Sequence, residues 1–370
     1  MQDPALQYLI DAVRTAAAGA TPLRIRGGGT KDFWGQRLSG EVLDTTAWRG
    51  ITSYEPSELV VTVRGGTPLG DLEAALAGRG QCLPFEPPRH GAGGTVGGMV
   101  AAGLSGPARA SVGAVRDYVL GLQLLNGRGE LLTFGGQVMK NVAGYDVSRL
   151  MAGAWGTLGV ITEVSLKVLP VAPAEATLRF ECSQADALLW LNTWGGQPLP
   201  LNASRWVADA GVGALYLRLR GAVAAVDAAC HTLSGERQDN AVAAADWEAC
   251  RDQRLPWFAG RDGTECLWRL SVPQTAPVLA LPAGVAAPLV EWHGGQRWVK
   301  AGLAHAGALR EVAARAGGHA ALFMVDGNPA TREQPRLEPL KPPLDRIHQR
   351  LKAEFDPAGI FNRGRMVGSF

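Results

Sequence analysis

The sequence predicts an α+β fold divided into two domains. Three features carry that reading. The chain is 370 residues long and 46% hydrophobic, enough for two separate cores. Residues 1–170 alternate apolar runs with glycine loops, whereas residues 171–370 are richer in alanine, with helical patterns between strand-like runs. The step Leu169-Pro170-Val171-Ala172-Pro173 punctuates the change.

The elements follow in order. Leu6, Leu9, Ile10 and Val13 suit one face of a short helix. Leu23 and Ile25 form a short strand that runs into Gly27-Gly28-Gly29. Leu59 to Val63 is a strand. Thr67-Pro68 then offers an N-cap and a first-turn proline, and the helix carrying Leu69, Leu72 and Leu76 stops at Gly78. Tyr118 to Leu125, Asn126-Gly127-Arg128-Gly129 and Leu131 to Phe134 read as a β-hairpin. Val160, Thr162, Val164, Leu166 and Val168 alternate with Ile161, Glu163, Ser165 and Lys167, the pattern of a strand with one buried face. Further on, Ala214 to Arg220 and Leu267 to Val272 are strands, and Val223 to Leu233 is a helix. Leu344, Ile347, Leu351 and Phe355 mark an amphipathic helix ended by Asp356-Pro357, with His348 on its solvated side.

Bulk properties exclude several functions. With 36 basic against 34 acidic residues, the charge gives no case for nucleic acid or an anionic membrane. Met1 to Ala20 has no basic start and no long apolar core, so it is not a signal peptide. Thr275 to Trp292 is broken by Pro277, Pro282 and Pro288 and reads as strand and loop rather than a membrane span. The cysteines (Cys82, Cys182, Cys230, Cys250, Cys266) are odd in number and lack a C-x-x-C spacing. That argues for a reducing cytoplasm and against a disulfide framework or an iron–sulfur cluster in this chain. The histidines show no metal-ligand spacing, so no metal site is assigned. Most of the tryptophans, including Trp247, Trp257, Trp268, Trp292 and Trp298, are read as core, with a subunit interface as the alternative.

Glycine makes up about 13% of the chain, against about 7% in ordinary proteins, and it is clustered. Arg26-Gly27-Gly28-Gly29-Thr30-Lys31 follows the first strand. Successive glycines let backbone N–H groups converge on a phosphate, and Arg26, Lys31 and the Thr30 hydroxyl add charge and a polar contact. A flexible surface turn is the alternative. His90 to Gly106 interleaves Gly91, Gly93, Gly94, Gly97, Gly98, Gly103 and Gly106 with apolar Val96, Met99, Val100 and Leu104. It reads as a packed loop whose backbone wraps a flat, anionic ligand, with tight turn packing as the alternative. Gly153 to Thr162 leads into the alternating strand. There the backbone at Val160 and Ile161 offers an edge for adenine, or the glycines form an ordinary turn. The dinucleotide G-x-G-x-x-G order, the P-loop and the nucleophile elbow are all missing.

Together these segments resemble the vanillyl-alcohol oxidase and p-cresol methylhydroxylase flavoprotein superfamily. The FAD-linked 2-hydroxy acid dehydrogenases share Lys140-Asn141-Val142-Ala143-Gly144-Tyr145-Asp146 and Gly156-Thr157-Leu158-Gly159-Val160-Ile161-Thr162. Pro84 to Pro88, Gly97-Gly98-Met99-Val100, Ala152-Gly153 and the ending Phe355 to Asn362 belong to the same pattern, which is most similar to the FAD-binding E subunits of bacterial glycolate oxidases. The resemblance implies a two-subdomain FAD-binding domain of the p-cresol methylhydroxylase type at 1–170, an α+β cap or interface domain at 171–343, and a helix and tail at 344–370 that return to the first domain. It implies a pyrophosphate held by Arg26, Gly27, Gly28, Gly29, Thr30 and Lys31 and by Gly94, Thr95, Gly97, Gly98, Ser105 and Gly106. Gly159, Val160 and Ile161 would face adenine, and Asn362 the flavin region. Related enzymes often tether flavin to a first-loop histidine; Thr30-Lys31 stands there, which implies non-covalent FAD. On this basis Gly28→Asp is expected to abolish FAD retention by putting a side chain and a charge against the pyrophosphate.

Competent relatives also carry a Glu-His pair before the last helix and histidines around an Asp-Gly-Asn string. Arg332 to Pro343 lacks the pair, and Phe323 to Ala330 keeps only Asp326-Gly327-Asn328. No general base, and so no catalytic residue, is assigned. Two functions follow from the resemblance. One is an electron-transferring or structural FAD subunit beside a catalytic flavin subunit and an iron–sulfur subunit, cytoplasmic or peripheral at the inner membrane through those partners. The other is a self-sufficient dehydrogenase of a small 2-hydroxy acid such as glycolate or D-lactate. A flavin-free assembly protein is disfavoured by the intact glycine loops.

Overall fold

A computed structural model describes residues 3–36, 39–136, 146–209, 211–261, 263–325, 333–366 and 368. Two units emerge: Met1–Leu104 with Ala114–Val171 and Pro339–Phe370, and Ser105–Gly113 with Ala172–Glu338. Besides the changes of unit after Val171 and at Pro339, residues 105–113 form a further excursion into the second unit. Residues 105–113 leave the first half because the second unit holds them: the Trp292 indole N–H donates to the Gly106 carbonyl at 3.0 Å, and His293 Nε2 meets Ser111 Oγ at 2.9 Å. The chain crosses back at Pro339, a few residues before the expected start of the terminal segment.

In the first unit, five antiparallel strands lie in the order Ile51–Glu55, Val60–Arg64, Val160–Lys167, Val119–Leu125, Leu131–Gly135. The expected hairpin is there, with Leu125 opposite Leu131. The alternating strand is central, between Val60–Arg64 and Val119–Leu125. It therefore buries both faces, Ile161 and Ser165 as well as Val160, Thr162, Val164 and Leu166, rather than the one face its alternation suggested. The helices Leu69–Ala77 and Val96–Ala102 set Leu69, Leu72, Leu76, Val96, Met99 and Val100 against it. Thr67 does not cap the first of these helices. Its hydroxyl accepts the Gly50 N–H at 2.8 Å and donates to the Arg64 carbonyl at 2.7 Å, so Pro68 occupies the cap position.

A second apolar cluster lies within the same unit. The helix Pro4–Gly19 buries Leu6, Leu9, Ile10, Val13 and Ala16 against Leu23, Leu43, Ile360 and Phe361. Leu23–Arg26 pairs in parallel with Glu41–Asp44, and Phe361 bridges to Leu23. The C-terminal helix Leu344–Phe355 packs Leu351 and Phe355 on the sheet core, but Leu344 and Ile347 stay about half exposed, so only the lower half of its apolar stripe is used. His348 is not simply solvated: it is half-buried beside Leu150, Leu158 and Leu351. Buried Lys352 fixes the helix end. It donates to Asp356 at 2.7 Å and to the carbonyls of Thr157 and Phe361 at 2.7 and 2.8 Å.

The second unit is built on an antiparallel sheet of eight strands: Glu236–Arg237, Ala174–Glu181, Val212–Gly221, Leu201–Asp209, Leu289–Glu291, Gln296–Ala301, Cys266–Ser271 and His319–Met324. One face carries Leu178, Leu217, Trp206, Val290, Val299, Trp268 and Leu270 beneath the helices Gln184–Gly195, Val223–Leu233 and Ala306–Arg315. The other face is polar and aromatic: Arg205 pairs across strands with Tyr216 and Glu291, and Trp298 with Arg269. Trp247, Trp268, Trp292 and Trp298 are buried, and Trp257 is half-buried. Among the described residues no helix is long and apolar enough to cross a membrane.

Candidate cofactor crevice

The crevice is assembled on the Leu23–Arg26 strand. The C-terminal tail pins it: the Leu23 N–H donates to the Ile360 carbonyl at 2.8 Å, the Asn362 N–H to the Leu23 carbonyl at 2.9 Å, and the Ile25 N–H to Asn362 Oδ1 at 2.9 Å. Beyond Arg26 the chain loses its partners. Among the described residues, the N–H groups of Gly27, Gly28, Gly29 and Thr30 have no acceptor within the protein. Four consecutive orphan donors are what a bound oxyanion satisfies.

Glycine is needed here for close approach. A Cβ at Gly28 would be driven into the Gly93 carbonyl, and one at Gly27 into the Thr95 side chain. The two glycine segments are thus packed backbone to backbone. For Gly28→Asp the side chain would therefore meet the Gly93 carbonyl and part the loops, in addition to setting its charge near any bound anion.

Residues lining this crevice include Ile25 to Asp32, Trp34, Thr95, Gly98, Ala101, Ala102, Trp155, Asn362 and Arg365. An adjoining pocket is lined by Thr45, Gly97, Gly156, Gly159, Val160 and Ile161, and shares Ile25, Gly27, Gly98, Ala101, Trp155 and Asn362 with the first. The structure therefore gathers Arg26 to Lys31, Thr95, Gly97, Gly98, Gly159 to Ile161 and Asn362 about one continuous space. Gly94 stands just behind, its carbonyl accepting the Leu69 N–H at 2.8 Å. Ser105 and Gly106 are not among these lining residues and belong to the second unit, where Gly106 answers Trp292. Lys140 to Tyr145 and Asp326 to Ala330 lie outside the described residues; Asp146 caps the helix Val147–Leu150 through the Arg149 N–H at 3.1 Å.

The two loops differ in what they offer. The helix Val96–Ala102 spends its first donors inside the protein. Val96 donates to the Thr67 carbonyl at 2.9 Å, Gly97 to that of Gly65 at 2.8 Å, and Gly98 to Thr95 Oγ1 at 3.2 Å. It contributes shape, through Gly98, Ala101 and Ala102, while the free donors sit on Gly27 to Thr30. Arg26, Lys31 and Arg365 against Asp32 leave the outer lining cationic. Arg26 pairs with Asp32 at 2.9 Å at the surface.

Asn362 lines the crevice and is also bonded within the protein. It is 4% exposed, and besides accepting from Ile25 it donates to the Trp155 carbonyl at 2.6 Å. It staples the first strand to the loop before the central strand. Sequence reasoning missed Trp34, Ala101, Ala102, Trp155 and Arg365. Trp155 lies inside a glycine string already singled out, at φ 53°, with its ring 5.0 Å from Trp34 and its indole donating to the Ala102 carbonyl at 3.3 Å. Arg365 ties the tail to the first loop through the carbonyls of Lys31 and Gln36 at 3.0 and 2.9 Å. Neither role has a local sequence signal. The orphan donors, the cationic rim and the glycine cradle fit a flat, anionic dinucleotide such as FAD.

Comparison with known proteins agrees. Residues 6–135 match the FAD binding domain family. The chain is 46% identical over 361 residues to the glycolate oxidase subunit GlcE of Escherichia coli, covering 97% of both chains. It is 33% identical over 168 residues to the glycolate oxidase subunit GlcD of Bacillus subtilis, covering 45% of this chain and 36% of that relative. Alkyldihydroxyacetonephosphate synthase superposes with a TM-score of 0.67 at 15% identity over 96% of this chain and 75% of that one, a likeness of fold.

Proposed function

This chain belongs to the glycolate oxidase GlcE family of FAD-dependent oxidoreductases, and we propose that it is the non-covalent FAD-binding subunit of a multi-subunit glycolate oxidase, serving electron transfer or architecture beside a catalytic flavin subunit and an iron–sulfur subunit. The observation that carries the cofactor site is the run of four unpartnered N–H groups in a cationic crevice. The N–H groups of Gly27 to Thr30 donate to the pyrophosphate, Arg26, Lys31 and Arg365 offset its charge, and Gly98 and Ala101 let it approach. Gly159 to Ile161 border the adenine end. Trp34 and Trp155 wall the crevice against water. When bound, flavin supplies a carrier that takes an electron pair and releases electrons one at a time.

The accessory role is supported by the word subunit in the names of the Escherichia coli and Bacillus subtilis relatives and by the histidines missing from Phe323 to Pro343. The chain would work in the cytoplasm, or at the inner membrane through its partners. Purified alone under anaerobic conditions, it should be yellow and keep its visible band when glycolate or D-lactate is added. Bleaching should appear once the sister flavin subunit joins. Rapid bleaching of the chain alone would replace this reading with a self-sufficient dehydrogenase. A colourless protein that cannot be reconstituted would remove the cofactor site. Ala101→Asp tests the crevice itself, since Ala101 already has a Cβ and its helix stays intact. A carboxylate in the crevice lining repels the anionic cofactor and should weaken FAD binding by at least roughly tenfold. Unchanged FAD affinity would overturn the placement.

A further inference from the structure

The segment Asn362–Arg365 holds two residues in the left-handed region, Asn362 at φ 41° and Gly364 at φ 71°. A Cβ at Gly364 would meet nothing, so glycine serves the turn there rather than the packing. The turn closes with the Arg365 N–H on the Asn362 carbonyl at 3.1 Å, and the Arg365 side chain reaches back to the first loop.

Arg365 is 9% exposed, and a buried guanidinium must place its N–H groups on acceptors inside the protein. One terminal nitrogen donates to the Gln36 carbonyl at 2.9 Å, the other to the Lys31 carbonyl at 3.0 Å, and both reach the Asp32 carbonyl at 3.4 Å. The Gln36 N–H donates in return to the Arg365 carbonyl at 2.9 Å. The loop is shaped around this side chain. Gly35 takes φ 89°, and a Cβ there would press on Arg365 Nε and the Trp155 ring.

These carbonyls lead to the unpartnered donors of the crevice. A peptide unit is rigid and planar, so fixing its carbonyl fixes its N–H. The unit that carries the Lys31 carbonyl also carries the Asp32 N–H, which donates to the Gly29 carbonyl at 3.1 Å. The unit that carries the Gly29 carbonyl also carries the Thr30 N–H, the last of the four orphan donors. Two peptide planes thus run from the Arg365 guanidinium to the Thr30 N–H. Hydrogen bonds in such a chain polarise one another, and a cation at its head strengthens the donor at its end.

We propose that Arg365 is a positioning residue for cofactor retention, acting through this relay on the Thr30 donor, and that seating of Asn362–Arg365 is coupled to occupation of the crevice. This role rests on the crevice holding the cofactor's pyrophosphate, and it adds a dependence that positive charge alone does not create. Coupling is reciprocal: the factor in affinity that unseating removes is the factor by which a bound cofactor protects the seated segment.

Arg365→Lys keeps the charge and loses the planar fork, and Arg365→Gln loses both. FAD affinity of the stripped proteins is read by flavin fluorescence titration, inorganic pyrophosphate affinity by calorimetry, and stability by urea unfolding. Both variants should bind both probes about tenfold or more weakly. Binding by Arg365→Lys within about twofold of wild type would overturn the relay and leave Arg365 as a charge. A lowered unfolding midpoint with unchanged affinities would also overturn it, since a merely structural role has that signature. Hydrogen exchange of the wild type decides the matter where a variant does not fold. The amides of Gln36, Asn362 and Arg365 should exchange about tenfold or more slowly with FAD bound, while those of the strand Val212–Gly221 in the second unit keep their rates. Equal rates at the first three, or the same slowing at both places, would overturn the coupling. A wild-type chain that binds neither probe would overturn the cofactor reading and this role with it. A wild type that binds both, matched by its variants, would overturn this role alone.

Discussion

Replacing Asn362 with alanine removes two bonds at once. The amide oxygen takes the Ile25 N–H at 2.9 Å and the amide nitrogen donates to the Trp155 carbonyl at 2.6 Å, with the residue 4% exposed. Each orphaned group costs about 1–3 kcal/mol. Asn362 also sits at φ 41°, a conformation that asparagine tolerates better than alanine, which adds roughly 1 kcal/mol. Asn362→Ala should therefore cost about 3–7 kcal/mol. Asn362→Asp keeps the acceptor for Ile25 but sets a carboxylate against the Trp155 carbonyl, so it should also destabilise and should weaken FAD binding further by charge. Urea unfolding followed by far-ultraviolet circular dichroism gives the first quantity, and FAD titration of the stripped proteins the second. A stability within about 0.5 kcal/mol of wild type in Asn362→Ala would refute the staple. If FAD were lost from that stable variant, Asn362 would be a direct cofactor ligand, as the resemblance implied.

Two further outcomes are expected. Gly28→Ala should release FAD as fully as Gly28→Asp, because the Cβ itself meets the Gly93 carbonyl; retention by the alanine variant, read from the flavin absorbance of the purified protein, would return the explanation to charge. His293 should make stability depend on pH. Unfolded, it takes a proton near 6.5; folded, burial holds it neutral down to about 4. Between those values the unfolded chain binds more protons, so the contribution is complete above about 6.5 and drains away as pH falls to about 4, about 3 kcal/mol in all. His293→Asn, which tolerates positive φ, should flatten this part of the urea-stability profile between pH 7 and 4.5. The same acid loss in both proteins would refute the assignment.

Much of the first unit was legible because its signals are local. Alternation at Val160 to Val168, the Asn126-Gly127 turn and the leucine spacing of Leu69, Leu72 and Leu76 each depend on neighbours in sequence, and all three elements form. What alternation does not reveal is a strand's neighbours. Only a central place in the sheet buries Ile161 and Ser165 as well. Thr67 shows the same limit: its hydroxyl suits a cap, yet tertiary packing brings Gly50 within reach and it bonds there instead.

The sequence by itself singled out the backbone of Gly27 to Thr30 as a candidate for close approach to a ligand, with a flexible surface turn as the alternative. Tertiary structure decided which donors remain free. The Val96–Ala102 segment is equally rich in glycine, but the carbonyls of Gly65 and Thr67, some thirty residues earlier, consume its first N–H groups. It also decided the roles of Asn362, Lys352 and Arg365, which donate to the carbonyls of Trp155, Thr157 and Lys31, 207, 195 and 334 residues away in sequence, and it placed Ser111 against His293. The physical reason is common to all of these. A backbone carbonyl has the same chemistry under every side chain, so sequence does not reveal which one a distant donor will find, and only the packed chain brings the two within 3 Å.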